Sequence, residues 1–365
     1  MTTTLSWWRT DRPVRAPAAA APGAVLGFHR RLPGYTPTPL VALPGLAAQL
    51  RVARVLVKDE SDRLGLPAFK MLGASWAVAC AAATRTGAGT DALDPAALRR
   101  LLAETGVELR LYTATAGNHG RAVARTARIL GASARVWTPA STPAHLASAI
   151  EAEGAELVVV PGSYDDAVRE AAAAAAADDR AALVQDTAPE PQLDGAERDG
   201  ELPARVVEGY STLFHEIRVE LGRDPDVVVV PAGVGSLAQA AATYCGAALL
   251  TVEPTSAACL LTALRDGSPR TLPAGTTALA ALNAGSVSAA AWPVLRERVA
   301  AAAAVTDEAA SDAVRELHRA GIAAGPCGGA ALAGLTGALA EPDVRAALGV
   351  DGSSCVVVLS TDGAR

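Results

Sequence analysis

The chain has 365 residues, half of them hydrophobic but only 4% aromatic, so alanine, valine and leucine must build an interior large enough for two domains. A formal net charge of −6 with no basic run argues against nucleic acid as a partner, and no segment is apolar for long enough to cross a bilayer. The cysteines (Cys80, Cys245, Cys259, Cys327, Cys355) are odd in number and dispersed, and the histidines lack metal-ligand spacing. This fits a reduced, cytoplasmic protein with no metal site better than a disulfide framework.

In chain order, the start around Trp7 and Trp8 has no signal-peptide core, and the two tryptophans are candidates for a subunit contact. A strand is predicted over 54–58, ending at Lys58, and the apolar run Leu66-Pro67-Ala68-Phe69 leads to Lys70. From 108 the pattern becomes regular: strand 108–114, helix 118–130, strand 134–138, helix 143–153, strand 156–160, helix 164–179 and strand 182–186. The alanine run 171–177 reads as part of a helix. Short β-branched runs alternating with longer helices predict a parallel sheet flanked by helices.

A polar stretch at 190–201 precedes a second series: helix 206–221, strand 226–231, a glycine turn, helix 237–244 and strand 248–253. Helix 307–320, a loop at 324–329, a further helix and strand 355–359 complete it. The expected fold class is α/β with two domains, each a mostly parallel sheet flanked by helices. Residues 1–107 and 189–365 are expected to form the larger domain, and 108–188 a smaller inserted one.

Lysine usage supplies the first chemical signal. Lys58 and Lys70 are the only two lysines against thirty arginines. Arginine can replace lysine as a surface charge, but it cannot lose a proton near neutral pH and attack a carbonyl. The apolar approach to Lys70 would desolvate its amine and favour the nucleophilic form. Lys58, beside Asp59 and Glu60, is expected to form a structural ion pair and to tolerate arginine without loss of cofactor binding.

Three further motifs carry chemistry. Val227 to Pro231 is a buried strand entering Ala232-Gly233-Val234-Gly235-Ser236, where bare amides and a helix N-terminus suit a phosphate. It lacks the spacing of a P-loop or a dinucleotide fingerprint, and a structural glycine turn fits the same residues. Thr113 to Arg121 contains Gly117-Asn118-His119-Gly120, a strand-to-helix turn that allows close backbone approach or, more plainly, an N-cap. Val358-Leu359-Ser360-Thr361-Asp362-Gly363 ends a strand in a hydroxyl pair, either a simple turn or a neutral partner for a ring nitrogen.

A lysine, Gly-Asn-His-Gly, a glycine turn and a terminal strand serine occur in the order seen in fold-type II pyridoxal-phosphate enzymes. Longer strings narrow the resemblance: Phe28-His29-Arg30-Arg31-Leu32-Pro33-Gly34-Tyr35-Thr36-Pro37, Val57-Lys58-Asp59-Glu60-Ser61 through Lys70, and Val184-Gln185-Asp186-Thr187. With Val252-Glu253-Pro254, Ala258-Cys259-Leu260 and Leu282-Asn283-Ala284-Gly285, they are similar to 2,3-diaminopropionate ammonia-lyases. The resemblance covers roughly residues 28 to 363.

The resemblance implies that Lys70 forms a Schiff base with pyridoxal 5'-phosphate. Asn118 would bond the cofactor's phenolic oxygen, while Gly233, Val234, Gly235 and Ser236 hold its phosphate. Ser360, helped by Thr361, would face the ring nitrogen, and a hydroxyl there makes a weaker electron sink than a carboxylate would. Thr115, Gly117, His119 and Asn283 would line the substrate site. Asp186 is the implied base for the L-substrate, and Lys70, once displaced by substrate, is a competing one. The implied reaction is loss of ammonia from 2,3-diaminopropionate, a small amino-acid substrate, to give pyruvate, and the implied assembly is a homodimer.

The family often carries an aspartate where this chain has Ala116, which removes the base associated with the D-isomer and predicts preference for L-2,3-diaminopropionate. Serine or threonine dehydration, or β-replacement, would use the same cofactor residues and differ only at the wall near Asp186, Asn283 and Cys327. A non-catalytic protein binding a phosphorylated ligand is the rival of another class, and an intact Lys70 speaks against it.

Overall fold

The structure is a computed structural model describing residues 6–11, 18–115, 117–185, 201–273 and 275–363. Its strands are β1 (Ser6–Arg9), β2 (Leu40–Ala42), β3 (Arg54–Asp59), β4 (Arg110–Ala114), β5 (Ser133–Pro139), β6 (Glu156–Val160), β7 (Ala181–Leu183), β8 (Val227–Pro231), β9 (Ala248–Pro254), β10 (Val299–Val305) and β11 (Cys355–Ser360). They form a seven-stranded sheet in the order β1-β10-β9-β8-β11-β3-β2 and a four-stranded sheet in the order β6-β5-β4-β7.

The smaller sheet is wholly parallel. In the larger one, β10, β9, β8, β11 and β3 are parallel, and only the edge strands β1 and β2 run antiparallel. The valines of β8 and β11 explain the central position of these strands. Covered on both faces, they read as continuous apolar runs without alternation. Parallel strands place their carboxyl ends along one edge, which is where ligands bind in open α/β sheets.

Helix Lys70–Thr86 is buried for most of its length and packs against helices Asn118–Leu130, beside the smaller sheet, and Leu202–Gly209. Two glycines permit the second contact. A Cβ on Gly73 would come within 2.5 Å of the Tyr210 ring, and one on Gly209 would collide with the Leu72 carbonyl.

Several expectations need correction. The helix predicted over 206–221 is two helices, Leu202–Gly209 and Ser211–Leu221, because the chain turns at Tyr210 as Gly209 closes on Leu72. The loop predicted at 324–329 ends at Gly325. Pro326 opens helix Pro326–Ala340, whose first amides, Cys327 and Gly328, reach the Asp362 carboxylate at 3.4 and 3.0 Å. Strand 182–186 is observed as β7, ending at Leu183. Trp7 and Trp8 lie in β1, paired with Ala303 and Ala302 of β10.

Candidate active site

Lys70 is the first residue of its helix, and the loop from Asp59 delivers it. Within that loop Arg63 and Leu66 exchange both backbone hydrogen bonds, at 2.8 and 3.1 Å, across Leu64 and Gly65. Both turn residues have positive φ, +57° and +74°, the pattern of a tight hairpin. For leucine the left-handed conformation costs roughly 1–2 kcal/mol. The Lys70 amine lies 5.0 Å from the Phe69 ring centroid and 5.9 Å from that of Tyr210. These buried rings make the apolar wall that the sequence run implied, although nothing in the pattern pointed to Tyr210.

The terminal strand meets the same loop. Gly363 N–H donates to the Pro67 carbonyl at 2.9 Å, and Ala68 bridges Asp362, two residues before Lys70. Ser360, the last residue of β11, is fully buried, and its hydroxyl has no hydrogen-bond partner among the described residues. Such a group costs about 1–3 kcal/mol unless something satisfies it. Gly328 leaves room for that hydroxyl, since a Cβ there would stand 2.5 Å from Ser360 Oγ. Thr361 follows and is also buried.

At the end of β8 the chain turns through Gly233, Val234 and Gly235 into helix Ser236–Tyr244. Gly235 has φ +98°, where a side chain would be strained. The amides of Gly233, Val234, Gly235 and Ser236 have no acceptor among the described residues. Gly233 rests against the Ala281 carbonyl and Leu282, which brings the neighbouring Asn283 to this turn. Asn283 Nδ2 donates to Gly275 O at 2.9 Å, and its buried Oδ1 has no partner among the described residues.

The third group follows β4. The Gly117 amide donates to Thr115 Oγ1 at 3.0 Å, Asn118 begins helix Asn118–Leu130, and His119 Nε2 lies 2.9 Å from the Val184 carbonyl. Gly120 has no space for a Cβ, which would collide with Thr115 and come within 2.9 Å of Val136. The link to Val184 brings this turn beside the chain that leads to Asp186. Asp186 and Ala116 themselves lie outside the described residues. Lys58 forms the expected ion pair, with the distant Glu216 at 2.7 Å.

Sequence reasoning passed over Asp362, which ties helix Pro326–Ala340 to the terminal strand, and Glu253 at the end of β9. Burial raises the Glu253 carboxyl to about 7 even though it accepts the Leu260 and Leu261 amides at 2.8 and 2.7 Å. No helix among the described residues is long and apolar enough to cross a membrane.

The donor set suits pyridoxal phosphate: an amine against aromatic rings, a turn of unpaired amides for a phosphate, and an unpaired buried hydroxyl for a ring nitrogen. A model of the pyridoxal-phosphate dependent enzymes matches residues 31–362, and the chain belongs to that family. Within it, the chain is 33% identical to the diaminopropionate ammonia-lyase of Salmonella typhimurium, over 93% of this chain and 88% of that one. The corresponding Escherichia coli protein is 31% identical over 92% of this chain and 86% of its own length. A crystal structure of Escherichia coli diaminopropionate ammonia lyase in complex with D-serine superimposes with a TM-score of 0.87 at 29% identity, covering 99% of this chain and 94% of that one.

Proposed function

We propose that this protein is a pyridoxal-phosphate-dependent lyase that eliminates ammonia from 2,3-diaminopropionate, with the L-isomer preferred. With water consumed, one diaminopropionate gives one pyruvate and two ammonia. The observation that carries the reading is the extended identity to diaminopropionate ammonia-lyases, 33% and 31% over 93% and 92% of this chain.

Bound here, pyridoxal phosphate would supply an electron sink for the pair released at the substrate's α-carbon. Lys70 would hold the cofactor through its aldehyde, and Asn118 would donate to the phenolic oxygen. The amides from Gly233 to Ser236 would hold the phosphate, and Ser360, with Thr361 beside it, would meet the ring nitrogen. A neutral hydroxyl does not keep that nitrogen protonated as a carboxylate would, which favours elimination over transamination. Thr115, Gly117, His119 and Asn283 orient the substrate. Asp186 takes the α-proton, a role that rests on the family resemblance, and Ala116 offers no second base for the D-isomer. The reading extends to a cytoplasmic homodimer in which 108–188 form the smaller domain.

A panel of L- and D-2,3-diaminopropionate, L-serine and L-threonine tests this, with ammonia and 2-oxo acid measured separately. We expect the L-diamine to react fastest and the D-isomer to be slower by about 10²-fold or more, the scale of one general base. Comparable turnover of the D-isomer would remove the stereochemical claim. Faster turnover of serine or threonine would replace the substrate with a hydroxy amino acid.

A further inference from the structure

Four ionic side chains lie wholly inside the protein behind the loop that delivers Lys70. Glu216, on helix Ser211–Leu221, accepts from Lys58 Nζ at 2.7 Å and from Arg63 Nη1 and Nη2 at 2.7 and 2.8 Å. It also accepts from Tyr35 OH at 2.8 Å and the Thr38 amide at 3.3 Å. Arg63 makes a second two-point contact with Glu60, at 2.8 and 2.6 Å, and the Thr38 hydroxyl donates to Glu60 at 2.6 Å. Side-chain exposure is 0% for Lys58, Arg63 and Glu60 and 3% for Glu216. Two cations face two anions, so the cluster is neutral. Burial alone would raise the Glu216 carboxyl, but the hydrogen bonds and charge of Arg63, with the charge of Lys58, hold it down at about 2.

Net stability is a poor reason for such a cluster, because apolar residues of similar volume often serve as well. Its connections suggest another. The Glu60 amide donates to the Ser360 carbonyl at 2.9 Å. Arg63 opens the strained turn to Leu66, whose carbonyl accepts from Ala68, two residues before Lys70. Conformations of this kind persist only where their surroundings over-determine them. The helix carrying Glu216 also begins just after Tyr210, whose ring faces the Lys70 amine. From the same helix Thr212 meets His29 at 2.7 Å, and the other nitrogen of His29 lies 2.9 Å from the Leu72 carbonyl. One helix thus grips both the loop before Lys70 and the helical turn after it.

We infer that Glu216 is a positioning residue that, through Arg63 and Glu60, fixes the Lys70 amine relative to Ser360. The inference rests on the reading that Lys70 and Ser360 hold the cofactor, and the experiment separates the two. Full-length protein is mixed with pyridoxal phosphate, trapped with borohydride at timed intervals, and mapped by peptide mass. Absence of a Lys70 adduct in the native chain would overturn the cofactor reading itself.

Given that adduct, Glu216→Gln and Lys58→Met each leave one buried charge unbalanced, whereas the double variant restores neutrality and keeps the Arg63–Glu60 pair. We expect each single variant, at a temperature where it is fully folded, to form the adduct roughly tenfold more slowly. The double variant should be more stable than either single one yet still capture slowly, because it too lacks the Glu216 carboxylate, and a native rate there would assign the effect to net charge and overturn the inference. Single variants with lowered melting temperatures but native capture rates would reduce Glu216 to a structural role and overturn the inference. Should the single variants fail to fold, Tyr35→Phe removes one hydrogen bond without altering charge. About threefold slower capture would then support the inference, and an unchanged rate in the face of a lowered melting temperature would overturn it.

Discussion

The two lysines of this protein occupy opposite kinds of surroundings. Lys58 is sealed in a polar cluster where its amine donates to Glu216 and to the Thr38 carbonyl at 2.7 and 2.6 Å. Lys70, at the mouth of a helix, is only partly buried and faces two aromatic rings. The first arrangement surrounds an amine with hydrogen-bond acceptors. The second sets it against π-faces and an apolar wall. Under the proposed function, one amine serves through its packing and hydrogen bonds and the other through its chemistry.

The largest test exchanges both for arginine. Lys70→Arg should abolish the visible absorbance of bound cofactor and lower activity by on the order of 10³ or more, with little change in melting temperature. Lys58→Arg should do the reverse. A guanidinium must be forced into a space with no exposure, at a cost of about 1–3 kcal/mol in stability, while cofactor binding should persist. Thermal unfolding beside absorbance spectra would break the contrast if both variants changed the same property.

A smaller effect concerns Ser360, whose hydroxyl is buried without a partner among the described residues. Ser360→Ala should leave the cofactor-free protein equally or more stable while weakening cofactor affinity by about 1 kcal/mol. Equilibrium titration with pyridoxal phosphate and unfolding without it would show whether the two signs differ.

A pH-dependent effect compares balanced with unbalanced buried charge. Glu253, with no counter-ion among the described residues, is pushed by burial up to about 7 from its ordinary 4.5, so its contribution to stability is lost as pH rises between those values. Burial lowers His29 to about 3 from 6.5, so its contribution is lost as pH falls through that range. Between about 4.5 and 6.5 the two oppose each other, and stability should be nearly flat with respect to them. Glu253→Gln should expose the histidine's slope, up to about 1.4 kcal/mol per pH unit, rising toward neutrality. Denaturant unfolding at several pH values reads it directly.

Local pattern was enough for much of this architecture, and two alanine runs mark where it stops being enough. Helix Tyr164–Ala176 follows a Ser163–Asp166 capping box, so its alanines have a local reason to be helical. Val299–Val305 contains five alanines of similar propensity but is a strand, buried throughout between β9 and β1. Only neighbours distant in sequence decide this, and no pattern within the run predicts it. The site divides in the same way. Lys70, the glycine turn and Ser360 stand in distinctive local strings, so they could be singled out as candidates from the sequence. Tyr210, Asp362 and Glu216 matter through partners tens or hundreds of residues away, and that information lies in the topology.

The pairing of Trp7 and Trp8 with β10 has a further consequence. A four-residue strand caps one border of the large sheet and three-residue β2 caps the other, so neither presents a long open row of amides and carbonyls. Short borders discourage two molecules from zipping together. Trimming the chain as far as Asp11 would uncover the alanine ribbon beneath, and the shortened protein should be prone to clump through that newly bared margin.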